Sequence, residues 1–123
     1  MINGFLLVAL GGAIGACLRY GAGLSIGNGA QATLLVNIVG SFALGLLTAW
    51  GVSRNMLGED ALWLLVGVGV LGSFTTFSAF SRETVHMMMQ GVALKGVLYA
   101  GANMLGALAA FAAGLFALGK ILG

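Results

Sequence analysis

The stretch L71-GSFTTFSAFSR-E83 decides how this chain folds. It packs three phenylalanines, two threonines and three serines into a short run that ends in an adjacent Arg82 and Glu83, with apolar chain on both sides. From Ala61 to Gln90 the surrounding segment would reach about 45 Å as one straight α-helix, well beyond a hydrocarbon core of about 30 Å. Such a segment either tilts strongly or breaks. Gly72, Ser73, Thr75 and Thr76 are poor helix formers, and their hydroxyls can stabilise an unwound turn. A break leaves backbone carbonyls without intrahelical donors, and at membrane depth those carbonyls need a partner such as a cation. Beyond the break Phe77 and Phe80 lie three apart and Glu83 continues their stripe, with Ser78 and Ser81 beside it. A phenyl ring is negative on its face and positive at its edge, so ring edges along a narrow path can touch an anion. On spacing alone, packing in a core is the simpler reading of Phe74, Phe77 and Phe80.

The rest of the chain is of membrane grade. Of 123 residues 60% are apolar and only 7% charged, with 22 glycines and no proline, and the mean hydropathy is +1.10. A water-soluble domain of this size needs far more charge on its surface. Four apolar stretches are long enough to cross a bilayer, at about 3–23, 32–52, 61–90 with a break near 72–76, and 92–122, and they make one four-span transmembrane domain over 1–123. Turns are predicted at SIGNGAQ and in the polar loop SRNMLGED. Short connections between long spans imply antiparallel neighbours in one all-α bundle. The net charge of +2 comes with no basic run, which gives no argument for nucleic acid. The lone Cys17 excludes an intramolecular disulfide. The apolar N-terminal run has no preceding Lys or Arg and holds a glycine cluster, so it reads as a first span rather than a signal peptide.

If the spans alternate, Arg54 and Lys120 fall on one side of the membrane, and Arg19, Lys95 and Arg82 on the other. The positive-inside bias is then close to zero. Charge alone leaves open both insertion in two orientations, as in an antiparallel dimer, and a single weakly biased orientation fixed by a partner subunit. Gly11 and Gly15 in the first span, and Gly106, Ala110 and Gly114 in the fourth, recur at four-residue steps that let helix backbones approach closely.

Polar residues inside spans are costly unless partnered. Thr33, Asn37 and Ser41 share one face of the second span, and Tyr99 and Asn103 one face of the fourth. Interhelical hydrogen bonds would explain any one of them.

Together these elements resemble a known family. GSFTTFSAFSRE is similar to the GGxTTFSTFSxE signature of the Fluc (CrcB-type) fluoride channels of bacteria, and GGAIGACLRY in the first span and TLLVNIVGSFALG in the second extend the likeness along the whole chain. The resemblance implies an antiparallel dual-topology homodimer, a multi-pass protein of the bacterial inner membrane, that lets fluoride leave the cell passively through two parallel pores. It implies a pore-facing Asn37 and a fluoride path lined by the ring edges of Phe77 and Phe80, with Thr33, Ser78, Glu83 and Tyr99 as polar positions along or near it. It also implies a structural Na⁺ at the dimer centre, held by backbone carbonyls at Gly72 and Thr75, and a structural Arg19 at the end of the first span. Ser73 and Ala79 depart from the signature, and Asn103 and Ala107 stand where hydroxyl residues are common. Fluoride is small and strongly hydrated, so a selective path must replace its water with donors such as the Asn37 amide and the Ser and Thr hydroxyls.

Two alternatives carry over. A small four-span multidrug/proton antiporter relies on a carboxylate in its first span, and here that span holds no Asp or Glu. A noncatalytic membrane assembly subunit is compatible with the glycine stripes alone. An enzyme is not expected, because His86 and the scattered carboxylates form no acid/base or metal constellation.

Overall fold

A computed structural model describes residues 2–56 and 58–122; Leu57, inside the predicted SRNMLGED loop, lies outside them. The described chain is all-helical, with four helices long and apolar enough to cross a membrane: Asn3–Ile26, Gly29–Arg54, Trp63–Met89 and Ala93–Leu122.

Helix α1 (Ile2–Ile26) turns into α2 (Gly29–Arg54) through two residues only. Gly27 takes φ +68, which glycine adopts without a Cβ penalty. Asn28 then caps α2, its Oδ1 accepting from the Gln31 N–H at 3.1 Å. At the far end Asn55 closes α2 in the left-handed region (φ 53, ψ 37), and the Met56 N–H reaches back to the Gly51 carbonyl at 2.9 Å.

The third span has two halves. The first is a π-helix over Trp63–Leu71 that ends in one α-turn, α3 (Gly72–Phe74). The break itself is only Thr75 (φ −77, ψ 156) and Thr76 (φ −151, ψ 120), both extended. It is therefore narrower than the 72–76 span predicted from composition: Gly72 keeps φ −61 and ψ −34. The reason lies in the termini, since the Thr75 N–H and hydroxyl both bond the Leu71 carbonyl, at 3.1 and 3.0 Å, and so close the last turn. Helix α4 (Phe77–Met89) restarts under the Thr76 hydroxyl, which accepts from the Ala79 N–H at 3.2 Å. Gly91 (φ +79) then turns the chain into α5 (Ala93–Leu122).

Glycine sets the neighbours. Gly45 of α2 faces the Phe111 carbonyl and Gly114 of α5 faces the Phe42 carbonyl, so these two helices meet backbone to backbone. Gly11 and Gly15 of α1 receive the Leu65 and Val70 carbonyls of the π-helix in the same way. Gly106 differs, meeting only the flexible Ile38 side chain at 3.2 Å. Gly40 of α2 makes room for Thr75 and Phe74, and thereby seats the break against α2.

Candidate functional site

Breaking a helix inside a bilayer exposes peptide groups that cost several kcal/mol each when left unpaired. The neighbouring helices supply the partners. Asn37 of α2, 9% exposed, accepts the Thr76 N–H on Oδ1 at 2.8 Å and donates from Nδ2 to the Thr76 carbonyl at 3.1 Å. One side chain thus satisfies both polar groups of a residue that has left the helix. From α1, Arg19 donates through Nε to the Ser73 carbonyl at 3.1 Å. Its positive charge meets the negative end of the first half-helix, where a cation is favoured. Among the described residues no hydrogen bond ends on the carbonyl oxygens of Gly72 or Thr75.

Beside the break lies a cavity of about 330 Å³ lined by Asn37, Ser41, Thr75, Thr76, Phe77 and Phe80, with Asn103 and Ala107 on the α5 side. No charged residue lines it. Phe77 and Phe80 stand edge to face, with centroids 5.1 Å apart and planes at 64°. Phe80 is buried at 7% exposure and its ring lies 6.1 Å from that of Tyr99, whereas Phe77 is 73% exposed in the single chain. Asn103, 3% exposed, accepts from Asn37 Nδ2 on its Oδ1 at 2.9 Å.

A second cavity, of about 410 Å³, opens on the other side of Thr76 and holds Arg19, Thr33, Arg82 and Glu83. Glu83 anchors its polar wall. The Thr33 hydroxyl donates to Oε1 at 3.1 Å and the Tyr99 hydroxyl donates to Oε2. A β-carbon on Gly29 would sit 3.3 Å from the same carboxylate, which places Glu83 against the first turn of α2, the end of a helix that favours negative charge. Arg82 is 3.7 Å from Glu83 but its side chain is 78% exposed, so this ion pair contributes little.

The profile of the family described as "CrcB-like protein, Camphor Resistance (CrcB)" matches residues 6–115, most of the chain and all of both cavities. The chain belongs to the CrcB family. Relatives include a protein of Hyphomonas neptunium, 47% identical over 120 residues and 94% of each chain. Another, from Caulobacter vibrioides, is 40% identical over 125 residues and 98% of each chain. A third, from Thermus thermophilus, is 47% identical over 116 residues, covering 89% of this chain and 90% of its own. All three carry the name "Fluoride-specific ion channel FluC".

Set on this CrcB chain, the residues singled out in the sequence fall into groups. Asn37, Phe77, Phe80 and Thr75 share the first cavity; Thr33, Glu83 and Arg19 share the second, and Tyr99 joins it through its hydrogen bond to Glu83. Ser78 is exposed, lies 3.2 Å from the Thr76 hydroxyl and lines neither cavity. Gly72 is exposed on the outside of the single chain. The sequence named Thr76 among the residues of the break but not among the site residues, and in the structure it is the centre of the site: it caps α4 and bonds Asn37 through both its N–H and its carbonyl. Its signal was the threonine three residues before the Ala79 N–H that it caps, a spacing typical of helix N-termini.

Proposed function

We propose that this multi-pass membrane protein is a fluoride channel that lets the ion leave the cell down its gradient. The observation that carries this reading is the uncharged cavity at the break. The rings of Phe77 and Phe80 and the polar residues Asn37, Ser41, Thr75 and Asn103 line it together, on a chain whose relatives bear the name of fluoride-specific channels. Those relatives are channels, and this chain is not an enzyme. A small, strongly hydrated anion exchanges its water for hydroxyl and amide donors, while ring edges and neutral donors hold it weakly enough to leave. Thr33, Tyr99 and Glu83 shape the approach from the second cavity, and Ser78 stands near the entrance to α4. The antiporter reading has less support, because the acid of the third span, Glu83, is already held by two hydroxyls.

In this proposal the working unit is an antiparallel homodimer. Its support is the open flank of the first cavity, where Phe77 is largely exposed, together with the balanced Lys and Arg distribution. The carbonyls of Gly72, in the last helical turn before the break, and of Thr75, in the break, accept no hydrogen bond among the described residues, and oxygens at a half-helix C-terminus and in unwound backbone suit a Na⁺ shared by two copies. That ion would tie the two breaks together at the dimer centre, while the structural Arg19 holds the adjacent Ser73 carbonyl.

Reconstituted into liposomes, the purified chain is expected to release fluoride and not chloride down a gradient, read with ion-selective electrodes. No fluoride release would sink the channel reading. For topology, single cysteines placed at Asn55 and at Asn28, in a Cys17→Ser background, are expected to be labelled from both sides of the membrane in intact cells. Labelling of each site from one side only rules out dual insertion.

A further inference from the structure

The turn between α4 and α5 and the first turns of α5 form, with Leu34 of α2, an open groove of about 630 Å³ that is separate from both cavities at the break. That volume lies within the usual range of small-molecule sites. Leu34, Leu94, Leu98 and Ala102 give it apolar walls. Tyr99 lines it as well, but its hydroxyl is turned into the bundle to donate to Glu83, so what it offers the groove is its ring. The one charged residue in the lining is Lys95, which is exposed and has no ion-pair partner among the described residues. Exposed leucines on a spanning helix need no more explanation than contact with lipid tails. Here they form a concave wall that begins at an unpaired cation.

We propose that this groove binds an acidic phospholipid, with the phosphate on Lys95 and an acyl chain along Leu98 and Ala102. Lys95 is the third residue of a 30-residue span, at the height of the lipid headgroups, and Ala102 lies about 10 Å further toward the midplane at 1.5 Å per residue. The stem of the lysine covers apolar wall while its ammonium stays in the polar layer. Charge complementarity selects the acidic class. No carboxylate lines the groove, so a zwitterionic headgroup brings a second ammonium beside Lys95 with nothing to receive it, whereas an acidic phospholipid brings the net negative charge that one lysine matches. Lipid seated there packs against the Tyr99 ring, whose hydroxyl holds Glu83 on the other side of the wall. The site requires only that the chain sits in a membrane, and it stands apart from the ion that the chain conducts.

The test uses the full chain in vesicles of phosphatidylcholine and phosphatidylglycerol. A fluorophore is placed on Leu105→Cys in a Cys17→Ser background; Leu105 is 71% exposed and lies just beyond Ala102, outside the lining of the groove. Phosphatidylglycerol carrying a nitroxide on its acyl chain is expected to quench at about fivefold lower mole fraction than phosphatidylcholine carrying the same nitroxide, the preference expected of one lysine facing an anionic lipid. Lys95→Gln is expected to make the two lipids equal and Lys95→Arg to keep the preference. Lys120→Gln, at the opposite end of α5, is expected to leave it unchanged. Equal quenching by the two lipids with Lys95 in place, a preference that survives Lys95→Gln, or the same loss in Lys120→Gln overturns the site. Quenching by neither lipid would mean that protein, such as a second copy of the chain, covers the groove, and overturns it as well. Native mass spectrometry of the unlabelled chain, extracted from an equimolar mixture of the two lipids, is expected to show phosphatidylglycerol retained and its loss in Lys95→Gln. Absence of that enrichment overturns the site with no label in place.

Discussion

Gly114→Ala is expected to destabilise the protein by about 2–3 kcal/mol, the cost of an overpacked core, whereas Gly101→Ala on the same helix is expected to be neutral or to stabilise by up to about 1 kcal/mol. The added methyl is the same in both. At Gly101 a β-carbon meets nothing within 4 Å, so only the better helix propensity of alanine remains. At Gly114 it overlaps the Phe42 carbonyl and comes to 3.0 Å from the Leu46 nitrogen, backbone atoms that no rotamer change can move. Helix α2 has to shift away from α5 as a body. That shift also loosens Gly45 from the Phe111 carbonyl and lengthens the Asn37 to Asn103 bond, so flux is expected to fall with stability. Thermal unfolding in detergent measures the pair; shifts of the same sign and size would show that α2 and α5 do not meet through these glycines.

Phe80→Ile is expected to cut fluoride efflux about thirtyfold with the fold retained. Isoleucine keeps most of the apolar volume of a side chain that is 7% exposed, so packing is largely preserved. What goes is the positive ring edge. Taking an anion at the ring edge to gain as much from the ring quadrupole as a desolvated cation does over the ring face, roughly 2 kcal/mol, the loss is about thirtyfold in rate. Phe77 is turned by 64° to Phe80 at 5.1 Å, so removing one ring also frees the other from its edge-to-face partner. Liposome flux together with size-exclusion behaviour checks this. Flux at the unaltered rate would return Phe80 to a packing role.

The membrane character, the four helices and the presence of an interruption in the third were legible from the chain, because each depends on local composition and length. Lipid tolerates no unpaired backbone, so an apolar run of sufficient length has few options besides helix. The width of the interruption was not legible. Gly72 and Ser73 are as poor in helix propensity as Thr75 and Thr76, and only the Thr75 bonds to the Leu71 carbonyl hold the first half helical to Phe74. The π-helical winding of Trp63–Leu71 was equally hidden, since WLLVGVGVL has no polar residue whose spacing could reveal a period.

At the site, residue type and register in the sequence alone picked out the polar positions Thr33, Asn37, Ser41, Tyr99 and Asn103 inside the spans, while the roles proposed for Phe77, Phe80, Glu83 and Arg19 came from the resemblance of GSFTTFSAFSRE and GGAIGACLRY to the CrcB-type channels. Their partners were decided by tertiary structure alone. Asn37 and Thr76 are far apart in the chain, as are Arg19 and Ser73, and each pair meets only because glycines let α1, the third span, α2 and α5 pack closely. Spacing shows that a side chain has a proton to donate, but whether that proton is already taken depends on the helix packed against it. For this reason Asn37, which by residue type has two hydrogens to donate, has both engaged in the folded chain, on the Thr76 carbonyl and on Asn103.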